Sequence, residues 1–94
     1  MSCIERVLFV SQADAERMRP YPGTALISIT DPSRPSAHLL PGWSAVHRAA
    51  FDDIDPIGYP DDYAGMRAIS EEQALAMARF ILATTQTCHT LVVH

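Results

Sequence analysis

Thr24-Ala25-Leu26-Ile27-Ser28-Ile29-Thr30 is the stretch that decides the fold. Most of it is β-branched or aliphatic. The turn Tyr21-Pro22-Gly23 closes it behind and Asp31-Pro32 breaks it ahead, so it reads as a strand. Upstream lies a short helix through Ala13, Ala15, Glu16 and Met18, with Ser11 as N-cap, Asp14 three residues on, and Pro20 as its stop. Further back, Ile4 to Val10 (Ile-Glu-Arg-Val-Leu-Phe-Val) is a first strand whose continuous apolar end predicts burial on both faces. Downstream, a proline-rich loop runs to Gly42, and Trp43 leads into a weaker strand, Ala45 to Phe51.

The acidic segment Asp52 to Asp62, broken by Pro56, Gly58 and Pro60, reads as loop. Ser70 then opens the longest helix. Gln73 completes a capping box, and Glu71 and Glu72 favour the positive end of the helix dipole. Ala74, Met77, Ala78, Ile81 and Thr85 form the apolar stripe expected to pack on a sheet, with Leu75 and Leu82 broadening it. The helix ends near Gln86, and Thr90-Leu91-Val92-Val93 is a last strand before His94.

The order strand, helix, strand, strand, helix, strand predicts an α/β fold with a mostly parallel sheet and crossover helices. A ferredoxin-like sandwich is the main competing architecture. There is no internal repeat or domain boundary, so residues 1–94 read as a single domain. The wholly apolar last strand is expected near the sheet centre. Such folds place ligand sites where a central strand turns into a following helix, and none follows here. The pattern therefore admits two expectations: an incomplete domain with one sheet face lacking helical cover, or a small fold that simply ends in a strand.

Composition narrows the function. Of the 94 residues 48% are hydrophobic and 19% charged, which is globular rather than disordered composition. A net charge of −4 gives no broad attraction to nucleic acid or to an anionic membrane. All seven basic residues are arginine, which suits anion recognition, although codon bias produces the same pattern. Cys3 and Cys88 have no metal-ligand spacing, and the start carries no export signal. Reduced thiols and a cytoplasmic location are expected.

The ordered pieces resemble the bacterial protein-tyrosine-phosphatase-like family related to dual-specificity phosphatases. They are Val-Leu-Phe-Val-Ser with an Ala-Asp-Ala-Glu helix, Ala-Leu-Ile-Ser-Ile-Thr-Asp-Pro, Phe51-Asp52-Asp53-Ile54-Asp55, Ser-Glu-Glu-Gln-Ala and the terminal Leu-Val-Val-His. In that family the strand ending Val-His runs into the cysteine of a Cys-x5-Arg phosphate loop, which would begin just after His94. The resemblance implies the N-terminal part of a cysteine phosphatase domain, needing no cofactor or metal, which would act on a phosphorylated substrate if the full domain exists. It implies that this chain is inactive alone, since neither Cys3 nor Cys88 has an arginine at the family spacing.

The resemblance also implies a general acid in the acidic loop, with Asp53 the first choice and Asp55 the second. Either would need a raised pKa to protonate the leaving oxygen. His94 matches the histidine that supports the phosphate loop, and as a terminal residue it is expected to fray. His38, His47 and His89 read as surface or edge residues and Arg34 as solvated. Trp43 and Phe51 read as packing residues, and Tyr59, Tyr63 and Met66 as a lid or partner surface. The acidic loop does not fit an EF-hand, because Ala64 stands where the late glutamate belongs. A haloacid-type Asp-x-Asp would follow the first strand, not the third. The contrasting function is a non-catalytic binding or oligomerisation module, with the uncovered sheet face joining copies.

Overall fold

The computed structural model describes residues 3–52 and 69–94. Six elements follow in chain order: β1 (Arg6–Phe9), α1 (Gln12–Arg17), β2 (Thr24–Thr30), β3 (Ala45–Ala50), α2 (Glu71–Thr84) and β4 (Thr90–Val93). The four strands form one sheet in the order β1-β4-β2-β3, and every neighbouring pair is parallel. This is the expected α/β fold, and it excludes the ferredoxin-like alternative, whose sheet is antiparallel. β2 and β4 match their expected bounds, whereas β1, β3 and α2 end one to two residues short of theirs.

β4 lies between β1 and β2, with Leu91 opposite Val7 and Ala25, and Val92 opposite Leu8 and Leu26. Its apolar run is explained by that place, since an interior parallel strand is buried on both sides. On one face Ala25, Ile27 and Leu91 pack with Cys88 against Met77, Phe80 and Ile81 of α2. On the other, Leu26 and Val92 pack with Ala15 of α1 and with Met18, Leu39 and Trp43. The connection from β2 to β3 holds no helix. It lies on that second face, where Arg48 Nη1 donates to the Ala37 carbonyl at 3.0 Å.

Both faces of the sheet therefore have cover, which corrects the expectation that one would lack it. What stays open is narrower. α2 sits toward β3, where Phe80 meets the His47 ring at 5.2 Å between centroids. β1, an edge strand by the sheet order, is therefore left uncovered on the α2 side among the described residues, and Val7 is 48% and Phe9 80% exposed. The expectation that β1 is buried on both faces is wrong for that reason: its apolar run marks a strand, not a central one.

The stripe of α2 is also corrected. Its inward positions are Gln73, Met77, Phe80, Ile81, Thr84 and the Thr85 cap, whereas Ala74 and Ala78 are exposed. Leu75 and Leu82, at 51% and 68% exposed, lie on the outer side instead of broadening the packed face. Apolar residues occur on two sides of this helix, so periodicity alone admitted either. The capping box is present as expected. Ser70 Oγ accepts from the Gln73 amide at 3.1 Å, and Gln73 Oε1 accepts from the Ser70 amide at 3.0 Å. The Thr84 carbonyl then ends the helix by accepting the Thr87 and Cys88 amides.

Candidate functional site

Parallel strands bring their carboxyl ends to one edge, and in open α/β sheets ligands gather there. Four chain segments reach that edge. From β1 come Phe9, Val10 and Ser11, whose Oγ accepts from the Asp14 amide and caps α1. From β2 comes Asp31, whose Oδ1 accepts from the Ser33 amide and hydroxyl at 3.0 and 2.7 Å. β3 delivers Phe51 and Asp52, the Phe51 amide donating to the Thr30 carbonyl at 3.1 Å. β4 delivers His94. Phe9, Val10, Ile29, Phe51, Val93 and His94 line a mostly apolar hollow of about 350 Å³.

His94 is held and not frayed, contrary to the expectation for a last residue. Its amide donates to the Ile27 carbonyl at 3.1 Å, and its carbonyl accepts from the Ile29 amide at 3.0 Å. Its ring Nε2 lies 2.7 Å from the Ser28 hydroxyl. Burial holds its pKa below the ordinary histidine value; Glu16 pushes the other way, and Arg48 adds to the depression. Glu16 is itself anchored, because the His38 amide donates to its Oε2 at 2.7 Å and thereby lowers its pKa. The Asp31 carboxyl is held low chiefly by the Ser33 amide and hydroxyl, with smaller help from Arg34.

A serine hydroxyl against a histidine ring is the opening geometry of nucleophilic catalysis. Here it serves another purpose. Ser28 is only 1% exposed and sits within β2, so no carbonyl or phosphoryl centre can reach its oxygen. The hydroxyl fixes the ring instead, leaving the imidazole as a neutral, oriented group beside the apolar hollow.

The other expected residues fall elsewhere. Asp53 and Asp55 lie outside the described residues, as do Tyr59, Tyr63 and Met66. Cys3 is exposed, and Cys88 is buried at the amino end of β4, across the sheet from the hollow. His38 and His89 are exposed, His47 is half-buried against Phe80, and Arg34 is exposed. Trp43 is a half-buried packing residue, as the sequence indicated, and Phe51 is half-buried at the hollow.

Sequence reasoning missed the Ser28–His94 pair and the charges of Glu16 and Arg48 facing it. The available signal was parity. Thr24, Leu26 and Ser28 share one face of β2, as Thr90, Val92 and His94 share one face along β4, once the two strands are placed side by side. Among the described residues no helix is long and apolar enough to cross a membrane. Compared with known proteins, the chain matches no family model, no curated protein and no solved structure.

Proposed function

We propose that this chain is the front part of a cysteine-phosphatase-like domain and does not hydrolyse phosphate monoesters by itself. The observation that carries the reading is the place of β4. An interior parallel strand delivers its carboxyl end, with His94 pinned by Ser28, to the edge where such enzymes seat their phosphate loop. Phosphoryl transfer by this route needs a thiolate whose pKa is lowered by surrounding amides, and an arginine to clamp the equatorial oxygens. The residue six after Cys3 is Phe9 and six after Cys88 is His94, so neither cysteine opens a Cys-x5-Arg loop. In a completed domain Asp53 would protonate the leaving oxygen, with Asp55 as the second choice, on a phosphorylated substrate and without metal or cofactor. His94 would brace the loop, not react.

Hydrolysis of a small aryl phosphate by the 94-residue protein tests this directly. No turnover above the buffer blank is expected. Turnover that survives Asp53→Asn, Asp55→Asn and Cys88→Ser would show that the assigned chemistry is wrong.

A second reading is supported by Phe9 and Val7, which stay exposed on the open part of the α2-side face. On this reading the chain is a non-catalytic module that associates with a second copy through β1. Light scattering decides it: a protein that is monomeric at high concentration, and whose mass does not respond to Phe9→Lys, would exclude association through this edge.

A further inference from the structure

The amino edge of the sheet carries a second concavity, on the α1 side, that the reading above does not use. Its floor is the half-buried Leu8, above the fully buried Val92, with Thr24 and Thr90 beside them on the same face. Its wall is Met18 to Tyr21, the segment that leaves α1, and it measures about 220 Å³. Arg6 and Arg19 stand on its rim, both exposed. Among the described residues no carboxylate lines it, although the chain has 11 acidic residues and a net charge of −4. Among the described residues neither guanidinium has a hydrogen bond or ion pair. By contrast, Arg48 donates to the Ala37 carbonyl and Arg34 adjoins Asp31.

The end of the groove is rigid. His89 Nε2 lies 3.2 Å from the Pro22 carbonyl and Nδ1 lies 2.8 Å from Thr90 Oγ1. A carbonyl can only accept, so in the neutral ring Nε2 carries the proton and Nδ1 accepts from the threonine hydroxyl. Gly23 makes room for that ring. With φ at +86°, it would place a Cβ 2.7 Å from His89 Cδ2. The segment is thus built around the imidazole, and both ring nitrogens are used in holding it.

We propose that this groove binds a small organic anion, an oxyanion head on an aromatic or aliphatic body no larger than about one ring. The head would lie between the unpaired guanidiniums of Arg6 and Arg19, which suit planar, bidentate oxyanion recognition. The body would lie on Leu8, Met18 and Pro20. The groove is smaller than the ~300–1,000 Å³ of sites for drug-sized ligands, which limits the body to that size. Net charge argues against general anion binding by this chain, so the site works through local charge that its own acids leave uncompensated.

The test is a titration of the ¹⁵N-labelled 94-residue protein with phenylphosphonate, which has head and body and cannot be hydrolysed. Inorganic phosphate (head alone) and benzyl alcohol (body alone) are the comparison arms. Saturable amide shifts are expected at Leu8, Arg19, His89 and Thr90, with phenylphosphonate binding at least about tenfold tighter than either fragment. Arg6→Gln and Arg19→Gln should each weaken it about five- to tenfold, and Arg34→Gln should not. Both target arginines are exposed, so folding is not at stake, and the dispersion of the same spectra verifies it. Three outcomes overturn the proposal: no saturation by ~10 mM, equal binding by all three variants, or shifts confined to Ser28, Phe51 and His94. The last would report the carboxyl-edge hollow instead and would leave the phosphatase-like reading standing.

Discussion

At the carboxyl edge of the sheet a histidine with a depressed pKa borders an apolar hollow, whereas at the amino edge two arginines, unpaired among the described residues, rim a groove. Strands β1, β4 and β2 take part in both, and β3 adds Phe51 at the carboxyl edge alone. The difference comes from what the connections bring. At the carboxyl edge Ser28 and Glu16 face His94 from β2 and α1, and the carboxylate of Asp31 is satisfied by its own turn. At the amino edge the residues after α1 bring Arg19, and among the described residues no acid meets it. Strand pairing sets where a site can be, and the short connecting segments set its charge.

Substitutions can test how independent the two edges are. Leu26→Ala should have the largest effect, because Leu26 is fully buried at the midpoint between them. A loss of about 2–5 kcal/mol in urea unfolding is expected, with both edges disturbed together. Gly23→Ala should come next, costing about 1–3 kcal/mol, since its positive φ and the His89 ring both oppose a Cβ. Its amide-shift changes should centre on His89 and Thr90 and leave His94 unmoved. Ser28→Ala should cost about 0.5–1.5 kcal/mol by removing the hydroxyl from the His94 ring. That effect should appear at the carboxyl edge alone.

The smallest effect is electrostatic and has a definite sign. His94 has a folded-state pKa below its unfolded one, so the unfolded chain takes up the proton first as pH falls. Its contribution is therefore flat above the ordinary histidine value of about 6.5. Stability declines as pH drops from there toward the depressed folded value, then levels. NMR titration of the ring should give a midpoint below the ordinary value. Glu16→Gln should lower that midpoint further, and Arg48→Gln should raise it. Movement in the opposite senses would mean that these charges do not face the ring.

The fold was largely legible from sequence. Thr24–Thr30, the Ser70 capping box and the apolar Thr90–Val93 run were each sufficient to identify their element, and together they gave a parallel α/β sheet. What was not legible depends on position. Val7 and Phe9 are as apolar as Leu91 and Val92, yet one strand lies at the edge and the other inside. Likewise Leu75 and Leu82 satisfy a helical stripe as well as Met77 and Phe80 do, and only the placement of the sheet separates them. At the candidate site His94 was marked by resemblance alone. Its partner Ser28 lies 66 residues away and becomes visible only once β4 is known to pair with β2. Asp53 and Asp55 were legible only as an acidic loop, and they lie outside the described residues.

Amide hydrogen exchange at His94 is the most direct measure of whether the end of β4 is fixed against β2. The His94 amide, bonded to Ile27, and the Ile29 amide, bonded to His94, should be protected well above free-chain rates. A His94 amide exchanging at the free-chain rate, while that of Leu26 stayed protected, would contradict it. The imidazole would then not be held at the sheet edge, and the phosphatase-like reading would lose the observation that supports it.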